Sequence, residues 1–91
     1  MNKLLQDVSL GKNFKQYRKA LGLTQYDVCA QMNIQGRPMS QNTYSRIELG
    51  QRNIFVSDLV ALSKVLKVDF NTIFKNIKPI VKYNESGEIR E

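Results

Sequence analysis

The sequence contains no histidine and a single cysteine, Cys29, among its 91 residues. Without histidine, the chain cannot build a histidine-based catalytic triad, a histidine general base or a histidine metal site. A single cysteine permits neither an internal disulfide nor a paired-cysteine metal site. Because the carboxylates are scattered along the chain, we expect no catalytic residues, no metal and no other cofactor, and hence a binding protein rather than an enzyme.

Long apolar runs are also missing. No segment approaches the roughly 20 apolar residues that a membrane span requires, and residues 1–7 lack the apolar core of a signal peptide. We therefore expect a cytoplasmic protein with no membrane partner. The apolar share of 42% and the charged share of 24% are ordinary, and with this length they predict one globular domain.

Positive charge exceeds negative charge, and the excess is unevenly distributed. The chain carries 14 Lys and Arg against 8 Asp and Glu, a net charge of +6. Residues 1–82 hold 13 of the basic and 5 of the acidic residues, a net +8, whereas residues 83–91 carry a net −2. The basic body indicates a polyanionic partner. Within it, Lys12, Lys15 and Lys19 are expected to form a solvated face that adds to the long-range field.

Apolar residues at helical spacing predict five short helices and hence an all-α fold. In the first helix, Phe14, Tyr17 and Leu21 recur three and four residues apart and form an inward stripe. Asp7 and Ser9 are alternative N-caps of this helix. Gly22 is expected to close it in the left-handed conformation.

The second helix is predicted over residues 24–35. Thr24 is its N-cap, and Asp27, three residues later, acts as an acidic partner in a capping box. Gly36 and Pro38 end the helix. Its inward positions are Val28, Cys29 and Met32.

The third helix is predicted over residues 40–49, with Ser40 as N-cap and Gly50 beyond its end. Tyr44 and Ile47 form a thin apolar stripe. The exposed side is polar and carries Gln41, Asn42, Ser45 and Arg46. Such side chains fit a helix in the major groove of DNA, because Gln and Asn pair with adenine and Arg pairs with guanine. The helix N-terminus also suits a phosphate.

Ser57 is the expected N-cap of a fourth helix, and Asp69 that of a short fifth helix. The inward residues of the fourth helix are Leu59, Leu62, Val65 and Leu66, and the fifth helix carries Phe70, Ile73 and Phe74. No strand-like alternation appears before the C-terminal tail, residues 76–91. For this tail, a small hairpin and a frayed acidic segment both stay open.

Several of these segments together resemble the Cro/repressor-type (lambda-repressor-like) helix-turn-helix family. The resemblance extends from about residue 10 to residue 74. It rests on Leu23-Thr24-Gln25, Val28-Cys29, Ser40 to Gly50, Leu59, Leu62 and Leu66-Lys67-Val68. It implies a five-helix DNA-binding domain over residues 10–75, after an extension at residues 1–9. It also implies a homodimer on a palindromic double-stranded operator.

The resemblance implies roles for individual residues. The base-reading positions are Gln41, Asn42 and Arg46, together with Ser45. The positions that contact the DNA backbone are Thr24, Gln25, Ser40 and Arg52, and Gln25 is also expected to brace Gln41. Arg18 and Glu48 match a pair that forms a salt bridge between the first and third helices.

One departure from the family pattern is the connection between the second and third helices, which is about one helical turn longer than usual. We interpret it as an extended second helix that ends at Gly36, with Met39 packed in the core. Arg37 then lies where it reaches either the DNA backbone or solvent alone.

The leading hypothesis is a sequence-specific DNA-binding transcriptional regulator, namely a repressor of phage, plasmid or mobile-element type. The alternative is an antitoxin or another protein-interaction module that uses the same fold and binds a protein partner.

Overall fold

The computed structural model describes residues 10–76 and the backbone of residues 3–4. Five helices lie in this part of the chain: α1 (Leu10–Ala20), α2 (Gln25–Ile34), α3 (Gln41–Glu48), α4 (Val56–Val65) and α5 (Phe70–Ile73). Two strands, β1 (Lys3–Leu4) and β2 (Ile54–Phe55), pair antiparallel. The predicted all-α, five-helix fold is confirmed. The strand pair was not predicted, because two residues are too few to show alternation.

Some predictions fall outside the described residues. The alternative N-caps Asp7 and Ser9 lie there, and so does the tail beyond residue 76 with its two alternatives. The boundaries of the DNA-binding domain, residues 10 and 75, stay predictions. Among the described residues, no helix is both long enough and apolar enough to cross a membrane.

The predicted capping box at the start of α2 is confirmed. The Asp27 N–H donates to the Thr24 hydroxyl at 3.0 Å, and the Thr24 N–H donates to the Asp27 carboxylate at 2.8 Å. These bonds satisfy amides that have no partner within the helix, and the bond from the Thr24 N–H lowers the pKa of the Asp27 carboxyl group. At the other end, Gly36 has φ +79° and lets the chain leave the helix as predicted.

The core is built from the predicted inward faces. Tyr44 and Ile47 of α3 are fully buried, and so are Val28 and Met32 of α2. Met39 packs against this core as interpreted. Leu21, predicted to continue the stripe of α1, is 42% exposed. That prediction was wrong: α1 ends at Ala20, and Leu21 lies just beyond it, where it lines a surface groove beside α2 and α4.

A glycine sets the distance between α1 and α3. A Cβ atom at Gly11 would lie 2.2 Å from the carbonyl oxygen of Glu48 and 2.5 Å from that of Ile47. Both distances are far below a van der Waals contact, so any larger residue would push the two helices apart. The close approach brings the start of α1 against the end of α3.

The start of α4 differs from the prediction. Ser57 is not its N-cap: the helix begins at Val56, and Phe55 occupies the N-cap position. The Phe55 N–H donates to the Asp58 carboxylate at 3.0 Å. Asp58 therefore caps α4 from within its first turn, so the helix can begin without a polar N-cap residue.

Side chains of α1 hold α5 in place. Asn13 donates its amide hydrogens to the carbonyl oxygens of Ile73 at 2.6 Å and Lys75 at 2.9 Å. The Tyr17 hydroxyl donates to the Thr72 carbonyl oxygen at 2.7 Å. Asp69 caps α5 as predicted, because its carboxylate accepts the Thr72 N–H at 2.7 Å.

Candidate nucleic-acid interface

One face of α3 carries the residues predicted to read bases. Gln41, Asn42 and Arg46 are exposed and Ser45 is half-buried, whereas the opposite face packs into the core. Positions 41, 42, 45 and 46 follow helical spacing, so the four side chains share one side of the helix. The structure thus brings all four together, and their contact with bases stays a prediction.

The N-terminal end of α3 is capped as predicted. The Ser40 hydroxyl accepts the Thr43 N–H at 3.1 Å. The cap fixes the first turn, where Gln41 and Asn42 lie. Ser40 itself is exposed at this end of the helix, which carries partial positive charge and suits a phosphate.

The structure corrects the predicted partner of Gln25. Its side-chain amide donates to the Glu48 carboxylate at 3.0 Å and not to Gln41. Gln25 is half-buried at the start of α2, beside the exposed Thr24. The bond therefore ties the N-terminal end of α2 to the C-terminal end of α3. The expectation went wrong because the Glu48 carboxylate, at the C-terminal end of α3, is the acceptor within reach of the Gln25 amide.

The predicted ion pair between α1 and α3 is present and buried. Arg18 Nε lies 2.7 Å from Glu48 Oε2, and Arg18 Nη2 donates to Glu48 Oε1 at 3.1 Å. The two side chains are 10% and 3% exposed. A third guanidinium N–H reaches the Leu23 carbonyl oxygen at 2.9 Å. This fork geometry fixes the angle of α3 against the body.

The protonation of Glu48 follows from these contacts. Burial pushes the pKa of Glu48 upwards, yet the hydrogen bonds from Arg18 and Gln25 outweigh it and hold the pKa below its ordinary value. The hydrogen bond to Glu48 raises the pKa of Arg18 in turn. Beside the pair, the Tyr44 side chain is fully buried, and burial raises the pKa of its phenol far above the usual range.

Arg37 lies against α4 rather than in solvent alone, and its contact with the DNA backbone stays a prediction. Its Nε pairs with the Asp58 carboxylate, and its guanidinium lies 5.3 Å from the centroid of the Phe55 ring. The Asp58 side chain is only 4% exposed. The α2–α3 connection is therefore tied to the N-terminal end of α4.

Sequence reasoning missed Asp58. Its one signal was an acidic residue in the first turn of a helix, where it can cap a backbone amide. That signal was masked by Ser57, which is itself a favoured N-cap residue.

The remaining predicted contact, Arg52, is exposed between α3 and β2, just beyond Gly50. It lies on the segment that follows the C-terminal end of α3, and its DNA contact stays a prediction. Within residues 10–76, no group of acidic residues and cysteine is placed to hold a metal ion.

Comparisons with known proteins point to one family. A family model described as helix-turn-helix matches residues 14–73, which is more than half of the chain. Comparison with curated protein sequences gives no match.

The fold is also similar to solved structures of restriction-modification controller proteins. C.AhdI from Aeromonas hydrophila has a TM-score of 0.64 and 21% identity, over 72% of this chain and 92% of that one. The C.Esp1396I tetramer, solved in complex with its natural 35-base-pair operator, has a TM-score of 0.63 and 24% identity, over 81% and 90%. A point mutant of C.Esp1396I has a TM-score of 0.64 and 25% identity, over 82% and 87%.

Proposed function

Since this chain belongs to the Cro/repressor-type helix-turn-helix family of DNA-binding transcriptional regulators, we propose that it binds one double-stranded operator sequence specifically. The observation that carries the proposal is the exposed polar face of α3, on a helix whose two ends are both held to the body. At the C-terminal end, Glu48 receives Arg18 and Gln25. Before the N-terminal end, Arg37 ties the connection to Asp58.

Base reading rests on the exposed side chains of α3. Gln41 and Asn42 lie in the first turn, the end of a recognition helix that reaches base edges in related complexes. Each carries an amide that both donates and accepts, which suits adenine, and Arg46 one turn later suits guanine. Ser45 lies between them on the same face and can pair with several bases.

Positioning rests on contacts with the phosphates. Thr24 and Gln25 lie at the N-terminal end of α2 and Ser40 at that of α3, where backbone amides carry partial positive charge. Arg52 adds a charge beyond the end of α3. Such contacts fix the register of the protein on the duplex without selecting sequence.

We further propose a homodimer on a palindromic operator and repression by covering a promoter. The fold similarity to C.Esp1396I, which is solved as a tetramer on its operator, supports assembly on DNA. Two copies of α3 in successive major grooves require half-sites about 34 Å apart. A dimer of that span excludes polymerase from the DNA that it covers.

Selection of bound sequences from a random duplex library tests the proposal. We expect one enriched motif with two-fold symmetry and half-sites about 10 base pairs apart. Gln41→Ala should relax the preference at one position of each half-site. Gln31→Ala is the matched control, because Gln31 is an exposed glutamine on α2 that faces a groove beside α4, and it should leave the motif unchanged.

A library that yields no enriched motif would overturn the proposal. If the chain instead bound DNA weakly and without salt dependence while holding a protein partner in stoichiometric amount, the interaction-module alternative would replace it.

The role of Arg46 has its own test. Arg46→Ala should lose about 1–3 kcal/mol of discrimination at a single base pair, because a bidentate pair with guanine is worth that much. The measurement is the ratio of affinities for the selected operator and for operators changed at each position. An equal loss at all positions would place Arg46 on the DNA backbone instead.

A further inference from the structure

A groove runs between α1 and the C-terminal half of α3. Three lysines of α1 line one side, and Gln25, Ser45 and Leu49 line the other, with the Arg18–Glu48 pair between them. The lysines are Lys12, Lys15 and Lys19, all of them exposed. Their spacing of three and four residues places them on one side of the helix. The chain therefore presents a row of three cations beside its recognition helix.

The charge of this groove is strongly positive. Among the described residues, the only carboxylate that lines it is Glu48, which is already paired with Arg18. In the part of the chain that the structure describes, no acidic side chain forms an ion pair with the three lysines. The groove therefore carries a local charge of about +3, which favours a polyanion over a neutral partner.

The groove is continuous with the proposed DNA-binding surface. Gln25 is a predicted phosphate contact and Ser45 a predicted base-reading residue, and both line it. Leu49, 66% exposed, follows the same exposed side of α3. A duplex that receives α3 in its major groove must place one of its two backbones along this side. The ligand that charge and position favour is thus the same DNA molecule.

We propose that Lys12, Lys15 and Lys19 bind successive phosphates of the operator and form a second backbone contact along α1. The inference rests on the proposed DNA binding and deepens it. From Lys12 to Lys19 the helix rises about 10 Å, and three successive phosphates on one strand span an axial rise of about 7 Å. Flexible lysine stems can take up a difference of this size. Ammonium groups on flexible stems bind phosphates as point charges, so the row adds affinity without selecting sequence.

The test compares two double variants that remove the same charge. Lys15→Gln with Lys19→Gln alters the groove. Lys64→Gln with Lys67→Gln is the matched control, because both of these lysines are exposed and line a groove beside α2 and α4, away from α3. Affinity for the operator selected from the random library is measured at several salt concentrations for the wild type and for both variants. Thermal unfolding confirms that all three proteins fold.

Each phosphate contact contributes about 0.9 to the slope of log affinity against log salt. The groove variant should therefore reduce the slope by about 2 for each protomer bound, with its base preference unchanged, whereas the control should reduce it far less. In a dimer, the wild type would lose roughly 100-fold more affinity than the groove variant between about 50 and about 200 mM salt.

Equal slopes for the two variants would overturn the inference, because the lysines would then act through net charge alone. A second result would also overturn the inference: an acidic protein that binds the wild type but not the groove variant and does not compete with DNA. The lysines would then bind a protein partner. Failure of the proposed function is distinguishable, since it appears as a random library without an enriched motif. The salt slopes can still be compared on that library.

Discussion

Two arginine–carboxylate pairs hold α3, one at each end, and they differ in burial. At the C-terminal end, Arg18 and Glu48 are 10% and 3% exposed. Before the N-terminal end, Arg37 is 31% exposed while Asp58 is 4% exposed. An arginine that stays in contact with water can leave its partner cheaply, whereas a buried arginine cannot. We infer that the Arg18–Glu48 pair, the inner pair, fixes the position of α3, and that the Arg37–Asp58 pair, the outer pair, holds the connection before α3 less firmly.

The other partners of the two carboxylates differ as well. Glu48 accepts from side chains of two other helices, Arg18 of α1 and Gln25 of α2. Asp58 accepts from Arg37 and from the backbone N–H of Phe55 at the start of its own helix. The inner carboxylate thus connects three helices, and the outer one combines a helix cap with a connection.

The largest expected effect is the loss of the inner carboxylate. Glu48→Ala should lower the free energy of unfolding by about 3–5 kcal/mol, because it leaves Arg18 charged and buried without its partner. Urea unfolding measures the change. The double variant Arg18→Met with Glu48→Leu is the control and should recover most of the loss, since apolar packing replaces the pair. A single-variant cost below about 1 kcal/mol would contradict the role assigned to the inner pair.

Removal of the outer carboxylate should cost less. Asp58→Ala should lower the free energy of unfolding by about 2 kcal/mol, the upper end of the cost of a lost helix cap. Arg37 adds little to this loss because its partly exposed guanidinium can turn into water. Asp58→Asn keeps an acceptor for the Phe55 N–H and should restore about half of the stability. A cost as large as that of Glu48→Ala would remove the distinction between the two pairs.

The inner pair was predictable from the sequence, and the local features of α2 and α3 were as well. The capping box of Thr24 and Asp27 spans three residues, and the stripe of Tyr44 and Ile47 lies within one helix. Such short-range patterns determine local structure almost alone. The partners Arg18 and Glu48 are 30 residues apart, and the family resemblance rather than spacing indicated them.

The outer pair was not predictable in the same way. Arg37 and Asp58 are 21 residues apart, and they meet only because the α2–α3 connection folds onto the start of α4. The pairing of β1 with β2 joins residues some 50 positions apart and leaves no periodic signal. Ser57 illustrates the competition between local preferences: a good N-cap residue gave way to Asp58, which caps an earlier amide from within the helix.

The third expected effect tests whether Arg37 acts in the outer pair or as a contact to the DNA backbone. Arg37→Gln should lower the free energy of unfolding by about 1 kcal/mol, because a glutamine amide can still donate to the buried Asp58 carboxylate while the charge and the cation–π contact are lost. Its effect on the salt dependence of DNA binding should be small. Arg52→Gln, at a predicted phosphate contact, should reduce the slope by about 0.9 for each protomer. Equal reductions in the slope of log affinity against log salt for both variants would show that Arg37 contacts the DNA backbone as well.

The smallest expected effect is the pH dependence that the inner pair confers. The pKa of Glu48 is lower in the folded protein than its reference value of 4.5. The unfolded chain therefore takes up its proton first as the pH falls. The stabilisation is fully present above about pH 4.5 and is lost as the pH drops through the lower pKa of the folded protein.

Glu48→Gln removes this titration while Asp27 and Asp69, whose pKa values are also lowered by their caps, keep theirs. Urea unfolding between about pH 5 and about pH 3 should therefore show a shallower loss of stability in the variant than in the wild type. Asp27 and Asp69 titrate in both proteins, so their contributions cancel when the two pH profiles are subtracted. The remaining difference in the pH dependence of stability comes from the Arg18–Glu48 pair. Parallel pH profiles would mean that the Arg18–Glu48 contact contributes the same free energy whether or not the carboxyl group is charged.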